Sequence, residues 1–148
     1  MARWLTKLNV DYLRGRRDSA GRSLWRLKVP LGFESDLLKR RLIVPPEFIT
    51  NYASVPRMPV VFLVAGDRSY DEAALHDWLY TCHEVTKEQA DAVFLEALLL
   101  NDAISPLLAK SMHKAVSWFG GGAWDDSSSI GQPAEIQTLI QASLSLGL

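Results

Sequence analysis

The chain has 148 residues, of which 48% are hydrophobic and 22% are charged, and its formal net charge is −1. This length and composition are typical of one soluble globular domain that is large enough to bury a core. The small net charge gives no indication of nucleic-acid binding, and the longest apolar run, Val60 to Ala65, is too short to span a bilayer. The single cysteine, Cys82, excludes an intrachain disulfide and fits a reducing compartment.

Charge is divided unevenly along the chain. Residues 1–57 carry a formal charge of +7, whereas residues 58–148 carry −8. This division predicts either that the two halves dock on each other or that copies of the chain pack head to tail. A basic hairpin face that is simply solvated would give the same charges, so composition leaves these interpretations open.

The first third of the chain has the alternating pattern of β-strands. Apolar and polar residues alternate from Ser23 to Phe33, which predicts a strand, and Pro30 within it indicates an edge position or a bulge. Leu42 to Val44 predicts a second strand, which Phe48 to Thr50 extends after two prolines. The glycine- and arginine-rich run from Arg14 to Arg22 predicts an exposed turn. We therefore expect a small N-terminal antiparallel sheet.

Two helices are predicted in the middle of the chain, from about Tyr70 to Cys82 and from about Lys87 to Leu100. A capping-box pattern precedes each helix, in which a hydroxyl and a carboxylate or amide satisfy backbone amides at the helix start. The two boxes are Ser69 with Glu72 and Thr86 with Gln89. Because only a few residues separate the helices, we expect them to pack as antiparallel neighbours.

The helix pair brings a histidine close to an acid. At about 1.5 Å of rise per residue, His76 and Asp91 lie at a similar distance from the turn that joins the helices. Tyr80 follows His76 by one helical turn on the same face, and Asp77 lies at the side of that face. The pair can be a buried hydrogen bond that fixes the helix register, or a general base with its orienting acid. The residues alone leave both interpretations open.

The last part of the chain predicts two more helices. Ser105 followed by a proline predicts the start of a third helix, which Gly120 to Gly122 ends. A flexible link with Trp124 as its one aromatic anchor is expected as far as Gly131, followed by an amphipathic helix from Gln132 to Leu148. We predict one α+β domain over residues 1–124, and a linker with a C-terminal helix over residues 125–148 that can dock on a partner.

Four runs of sequence together resemble a known family. They are V-P-P-E-F-I-T-N-Y-A-S-V-P-R, H-D-W-L-Y, A-D-A-V-F and M-H-K-A-V-S-W-F-G. Their combination and order resemble the phage and prophage family of domains of unknown function numbered 1353, over about residues 23–124. Three positions depart from the family pattern, since Glu47 replaces a glycine, Asn51 an aspartate and Lys87 an arginine. The resemblance implies a phage protein that is present in the host cytoplasm during assembly and then in the virion.

The helix pair is also similar, more distantly, to the active-site helices of secreted phospholipases A2. This similarity implies that His76 is a general base, that Asp91 orients its imidazole and that Tyr80 hydrogen-bonds the aspartate. It further implies Ca²⁺ as a cofactor, bound by Asp77 with help from the loop that contains Asn51. The glycine-rich calcium loop and the many disulfides of those phospholipases are absent from this sequence.

Two functions follow from these resemblances, and the residues leave open whether the protein is an enzyme. The first is a virion- or tail-associated structural or accessory protein that carries a hydrolase-like His–Asp site. Its expected partners are other phage structural proteins, or further copies that associate through the charge-split surface and the C-terminal helix. The alternative is an active hydrolase, either a phospholipase A2-like esterase or an envelope-degrading amidase. Neither nucleic-acid binding nor stable membrane insertion is expected.

Overall fold

The computed structural model describes residues 1–52, 69–129 and 134–146. It has the predicted α+β fold, in which N-terminal antiparallel strands are followed by helices. The strands are β1 (Arg3–Trp4), β2 (Val10–Arg17), β3 (Ser23–Leu27), β4 (Leu31–Ser35), β5 (Arg40–Val44) and β6 (Ile49–Thr50). The helices are α1 (Tyr70–Cys82), α2 (Lys87–Leu98), α3 (Pro106–Phe119), α4 (Gly121–Ser129) and α5 (Ala134–Ser145). None of these helices is long and apolar enough to cross a membrane.

The strands form two three-stranded sheets rather than one, with orders β1-β4-β5 and β2-β3-β6. The predicted single strand from Ser23 to Phe33 is therefore wrong, because the chain leaves one sheet after β3 and enters the other at β4. Pro30 lies in this break, where its missing N–H removes no ladder bond. The predicted extension of β5 by Phe48 to Thr50 is also wrong, since β6 pairs with β3 in the other sheet.

The basic turn predicted between Arg14 and Arg22 is confirmed as the tip of the β2–β3 hairpin. Asp18 organises this tip, since its carboxylate accepts bonds from the backbone N–H groups of Ala20 and Arg22. The guanidinium of Arg22 donates a further bond of 2.7 Å to the same carboxylate. Part of the charge at the tip is therefore neutralised within the hairpin.

Helix α1 lies at the centre of the molecule and packs against both sheets and against α2 and α4. Its predicted bounds are confirmed, whereas the predicted capping box at its start is wrong. The side chain of Ser69 makes no capping bond, and the buried Glu72 instead accepts a bond of 3.0 Å from the Asn101 amide. The second capping box, formed by Thr86 and Gln89 at the start of α2, is confirmed.

The residues after α3 fold differently from the prediction. The cap at Ser105 is confirmed, since its hydroxyl accepts a bond from the Leu108 amide. The flexible link expected from Gly120 is wrong, because helix α4 begins at Gly121. The predicted anchor Trp124 does pack on the domain, and α5 contacts β5 through a 2.9 Å bond from the Ser143 hydroxyl to the Ile43 carbonyl. The division of the chain at residue 124 stays a prediction.

Candidate functional site

The predicted meeting of His76 and Asp91 across the helix pair is present in the structure. Nε2 of His76 lies 2.8 Å from Oδ1 of Asp91, and both side chains are buried. His76 also packs between two aromatic rings, with centroid distances of 4.2 Å to Tyr80 and 4.7 Å to Phe94. The tight turn between α1 and α2 therefore gives the juxtaposition expected from the spacing, while the catalytic roles stay predictions.

Asp91 accepts hydrogen bonds on both of its carboxylate oxygens. The Tyr80 hydroxyl donates to Oδ1 at 2.7 Å, as the similarity to the phospholipase helices implied. Lys87 donates to Oδ2 at 2.7 Å and also to the backbone carbonyls of Val116 and Ser117 at the end of α3. The cluster therefore links three helices, α1, α2 and α3, through one buried carboxylate.

Lys87 is the member of this cluster that was not predicted. It precedes Asp91 by four residues on α2, which is the spacing of an ion pair along a helix. That spacing was the available signal, together with the arginine that the family pattern has at this position. Its contact with the end of α3, where unpaired carbonyls concentrate negative charge, could not be read from local spacing.

Burial and hydrogen bonding set the protonation of the cluster. Burial lowers the pKa of His76, although the bond to Asp91 opposes this effect. Burial would raise the pKa of Asp91, but hydrogen bonds from His76, Lys87 and Tyr80 lower it below the ordinary value. At neutral pH we therefore expect a charged carboxylate paired with a charged lysine, and a neutral imidazole that donates Nε2–H to Asp91.

Asp77 and Asn51 line the same cavity, which has a volume of about 540 Å³ and also borders Tyr80. They bond to different partners, however. Asp77 accepts a bond of 2.5 Å from the Thr50 hydroxyl, whereas the Asn51 amide donates a bond of 2.7 Å to Asp18. His76 is not among the residues that line this cavity. The predicted metal residues therefore share a cavity wall, and their role as metal ligands stays a prediction.

The Ca²⁺ that the phospholipase similarity implied stays a prediction. Calcium takes six to eight oxygen ligands, commonly several carboxylates. In the residues that the structure describes, no group of three or more His, Cys, Asp or Glu side chains could hold a metal ion. Ser54 and Arg57, the polar residues near the end of the motif V-P-P-E-F-I-T-N-Y-A-S-V-P-R, lie outside the described residues.

An aromatic stack covers one side of the cluster. Trp124 of α4 stacks on the His83 ring, with a centroid distance of 3.8 Å, and meets the Tyr80 ring edge-on at 5.2 Å. Gly120, at the junction of α3 and α4, approaches Tyr80 so closely that an added Cβ would lie 2.5 Å from its hydroxyl oxygen. The junction after α3 therefore holds the tyrosine against Asp91.

The fold and this network define an α+β domain with a buried histidine, aspartate and lysine cluster. The family model described as a protein of unknown function (DUF1353) matches residues 25–116, which is more than half of the chain. The chain belongs to this family, as its sequence motifs predicted. No curated protein and no solved structure matches the chain.

Proposed function

We propose that the protein is a phage-encoded structural or accessory component of the virion or tail, in which the His76–Asp91 pair serves mainly to fix the packing of the helices. The observation that supports this role is the enclosure of His76, whose side chain has no exposed surface. A catalytic base must reach the substrate proton directly or through one water. Here the His76 ring packs against the Tyr80 and Phe94 rings, and Asp91 is already engaged by Lys87.

Quantitative mass spectrometry of purified particles tests this role. We expect the protein at a fixed number of copies per virion, in a constant ratio to a known capsid or tail protein through successive gradient purifications. The matched control is the lysate of the same infection, in which the protein is present whether or not it is incorporated. Presence in the lysate together with loss from purified particles contradicts the virion role.

A second candidate function is hydrolysis of an ester or amide of the bacterial envelope, and the orientation of His76 favours it. Because Nε2 bonds Asp91, Nδ1 is the nitrogen that would act as the general base. It would accept a proton from water, whose oxygen bonds to the substrate carbonyl carbon. The carbon–oxygen or carbon–nitrogen bond then breaks, and the imidazolium returns the proton to the leaving group. This chemistry requires an opening that exposes His76.

Activity on phospholipid and peptidoglycan substrates distinguishes the two candidates. If the protein is a hydrolase, His76→Ala abolishes the activity while His113→Ala, which alters a histidine on the outer side of α3, preserves it. Circular dichroism of both variants confirms that they are folded. Comparison of the activity with Ca²⁺ and with a chelator tests the calcium that the phospholipase similarity implies, since loss with the chelator would indicate a metal-dependent hydrolase. A folded wild-type protein that is inactive on every substrate argues against the hydrolase.

A further inference from the structure

The outer side of helix α3 presents large apolar side chains to solvent. Leu107 is 77% exposed, Trp118 is 73% exposed and Phe119 is 61% exposed. Lys110 and Lys114 lie between them, and the spacing of three or four residues places Leu107, both lysines and Trp118 along one line about 16 Å long. These five residues form what we call the α3 stripe. Neither lysine has an ion-pair partner in the described part of the chain, and α3 contains no acidic residue.

A second exposed surface lies at the turn between α2 and α3. Leu99 is 49% exposed and Leu100 is 40% exposed, and the exposed Asp102 follows them. Asp102 makes no ion pair with any residue that the structure describes. We call these three residues the turn patch. It combines apolar side chains with negative charge, whereas the α3 stripe combines apolar side chains with positive charge.

The two surfaces lie at opposite ends of the same helix. The turn patch precedes the N-terminus of α3, and Trp118 and Phe119 lie at its C-terminus, about 21 Å away for a helix of this length. We propose that copies of this chain associate head to tail. Trp118 and Phe119 of one copy pack on the two leucines of the next, and Lys114 pairs with its Asp102.

Charge favours this arrangement over a symmetric contact between two α3 helices. An antiparallel pair of α3 stripes would bring Lys110 and Lys114 of both copies together, with no acid on either helix to neutralise them. A contact between different surfaces avoids this repulsion, and its repetition produces a ring or a filament. The proposal deepens the structural role in a phage particle and rests on it, since tail components are commonly repeated units.

Charge exchange tests the contact. Analytical ultracentrifugation of the whole chain over a wide concentration range should give oligomers, and Lys114→Glu or Asp102→Lys should weaken association at least about tenfold. The double variant, in which the two charges are exchanged, should restore it. Lys7→Glu and Glu88→Lys are matched controls, because they make the same charge changes at exposed positions outside both surfaces. A wild-type chain that stays monomeric at every concentration overturns the proposal.

Cysteine cross-linking tests the head-to-tail geometry. A mixture of Lys114→Cys and Asp102→Cys chains should form a disulfide-linked dimer, and neither variant alone should do so. The native Cys82 is buried and does not compete. Cross-linking of Lys114→Cys alone would indicate a symmetric contact and overturn the proposal. A monomeric chain that is nevertheless found in virions overturns only this contact, whereas a self-associating chain that is absent from virions contradicts only the virion role.

Discussion

At the scale of single residues, Asp91 is the position on which the buried cluster depends. A carboxylate withdrawn from water is strongly destabilising unless donors and an opposite charge surround it. Tyr80 and His76 supply neutral donors, but among the described residues only Lys87 supplies a positive charge within contact distance. The neutral state of His76 and the charged state of Asp91 can therefore coexist because the lysine is present.

Removal of the Lys87 charge should destabilise the domain. We expect Lys87→Met to lower the free energy of unfolding by about 2–4 kcal/mol, because it leaves a buried carboxylate without its cation. Lys87→Arg, which restores the family residue, should lose much less. The control is Lys110→Met, which removes an exposed lysine without an ion pair in the described residues. Urea denaturation measures all three, and equal stability of the two methionine variants would contradict this account.

Glu47 occupies a backbone conformation that favours glycine, the residue that the family pattern has there. Its φ is 72°, in the left-handed region where a Cβ is unfavourable. Glu47→Gly should therefore be more stable than Glu47→Ala by about 0.5–1 kcal/mol. Both variants remove the exposed contact with Arg26, so their difference reports on the backbone alone. Thermal denaturation of the pair is the measurement, and a more stable alanine variant would refute the assignment.

At the scale of elements, local signals predicted the helix pair well. The capping box at Thr86 and the proline after Ser105 mark helix starts through bonds that involve only neighbouring residues. The box at Ser69 failed because Glu72 is buried and bonds Asn101, a residue distant in sequence. Lys87 was missed for the same reason, since two of its three hydrogen bonds are with α3. Sequence therefore predicted the His76–Asp91 contact and the Tyr80 bond, but not the lysine that completes the cluster.

Helix α4 shows how tertiary contacts can override weak local preference. Its sequence, G-G-A-W-D-D-S-S-S, is rich in residues that disfavour helix interiors, so a flexible link was expected. Trp124 instead packs between the His83 and Tyr80 rings, and this burial stabilises the helix against α1. The division of the strands into two sheets was likewise not predicted, because strand alternation does not reveal which strands become neighbours.

Two glycines at the α3–α4 junction should respond oppositely to alanine. Gly120→Ala should cost about 1–3 kcal/mol, because its Cβ would overlap both the Val116 carbonyl oxygen and the Tyr80 hydroxyl oxygen. Gly122→Ala should be stabilising by up to about 1 kcal/mol, since an added Cβ meets nothing within 4 Å and alanine favours the helix. In a Tyr80→Phe background, which lacks the hydroxyl, the penalty at Gly120 should shrink only in part, because the overlap with the Val116 carbonyl remains. An unchanged penalty, measured by urea denaturation, would assign the whole cost to that carbonyl.

At the scale of the whole molecule, two buried carboxylates on neighbouring helices have opposite pKa shifts. Burial raises the pKa of Glu72 from 4.5 to about 7, and its bond from Asn101 only partly offsets this effect. Asp91 accepts from three donors, one of which is the Lys87 cation, and its pKa is shifted below the ordinary value of 3.8. Glu72 therefore stabilises the domain when it is protonated, whereas Asp91 stabilises the domain when it is charged. Stability is lost at high pH through Glu72 and at low pH through Asp91.

The contribution of Glu72 to the stability of the domain should accordingly fall as the pH rises through the neutral range. Glu72 has a raised folded pKa, so its contribution is complete below 4.5 and is lost as the pH rises to about 7. The contribution of Asp91 is complete above 3.8 and is lost only as the pH falls below that value. His76 opposes Glu72, because its lowered folded pKa makes its contribution complete above 6.5 and lost as the pH falls below that value. Glu72 alone should therefore remove about 3 kcal/mol of stability between pH 4.5 and pH 8, since one pKa unit corresponds to about 1.4 kcal/mol.

Glu72→Gln isolates the contribution of Glu72, because glutamine has a similar shape and can still accept the Asn101 bond. The variant should match the wild type near pH 4.5 and exceed it by about 3 kcal/mol at pH 8, where the wild-type carboxylate is charged and buried. Glu88→Gln, at an exposed position on α2, is the matched control and should leave the pH profile of the wild type unchanged. Denaturant unfolding at several pH values measures all three proteins. If the difference between Glu72→Gln and the wild type did not change with pH, the folded pKa of Glu72 would be that of an exposed glutamate. That result would contradict the effect of burial.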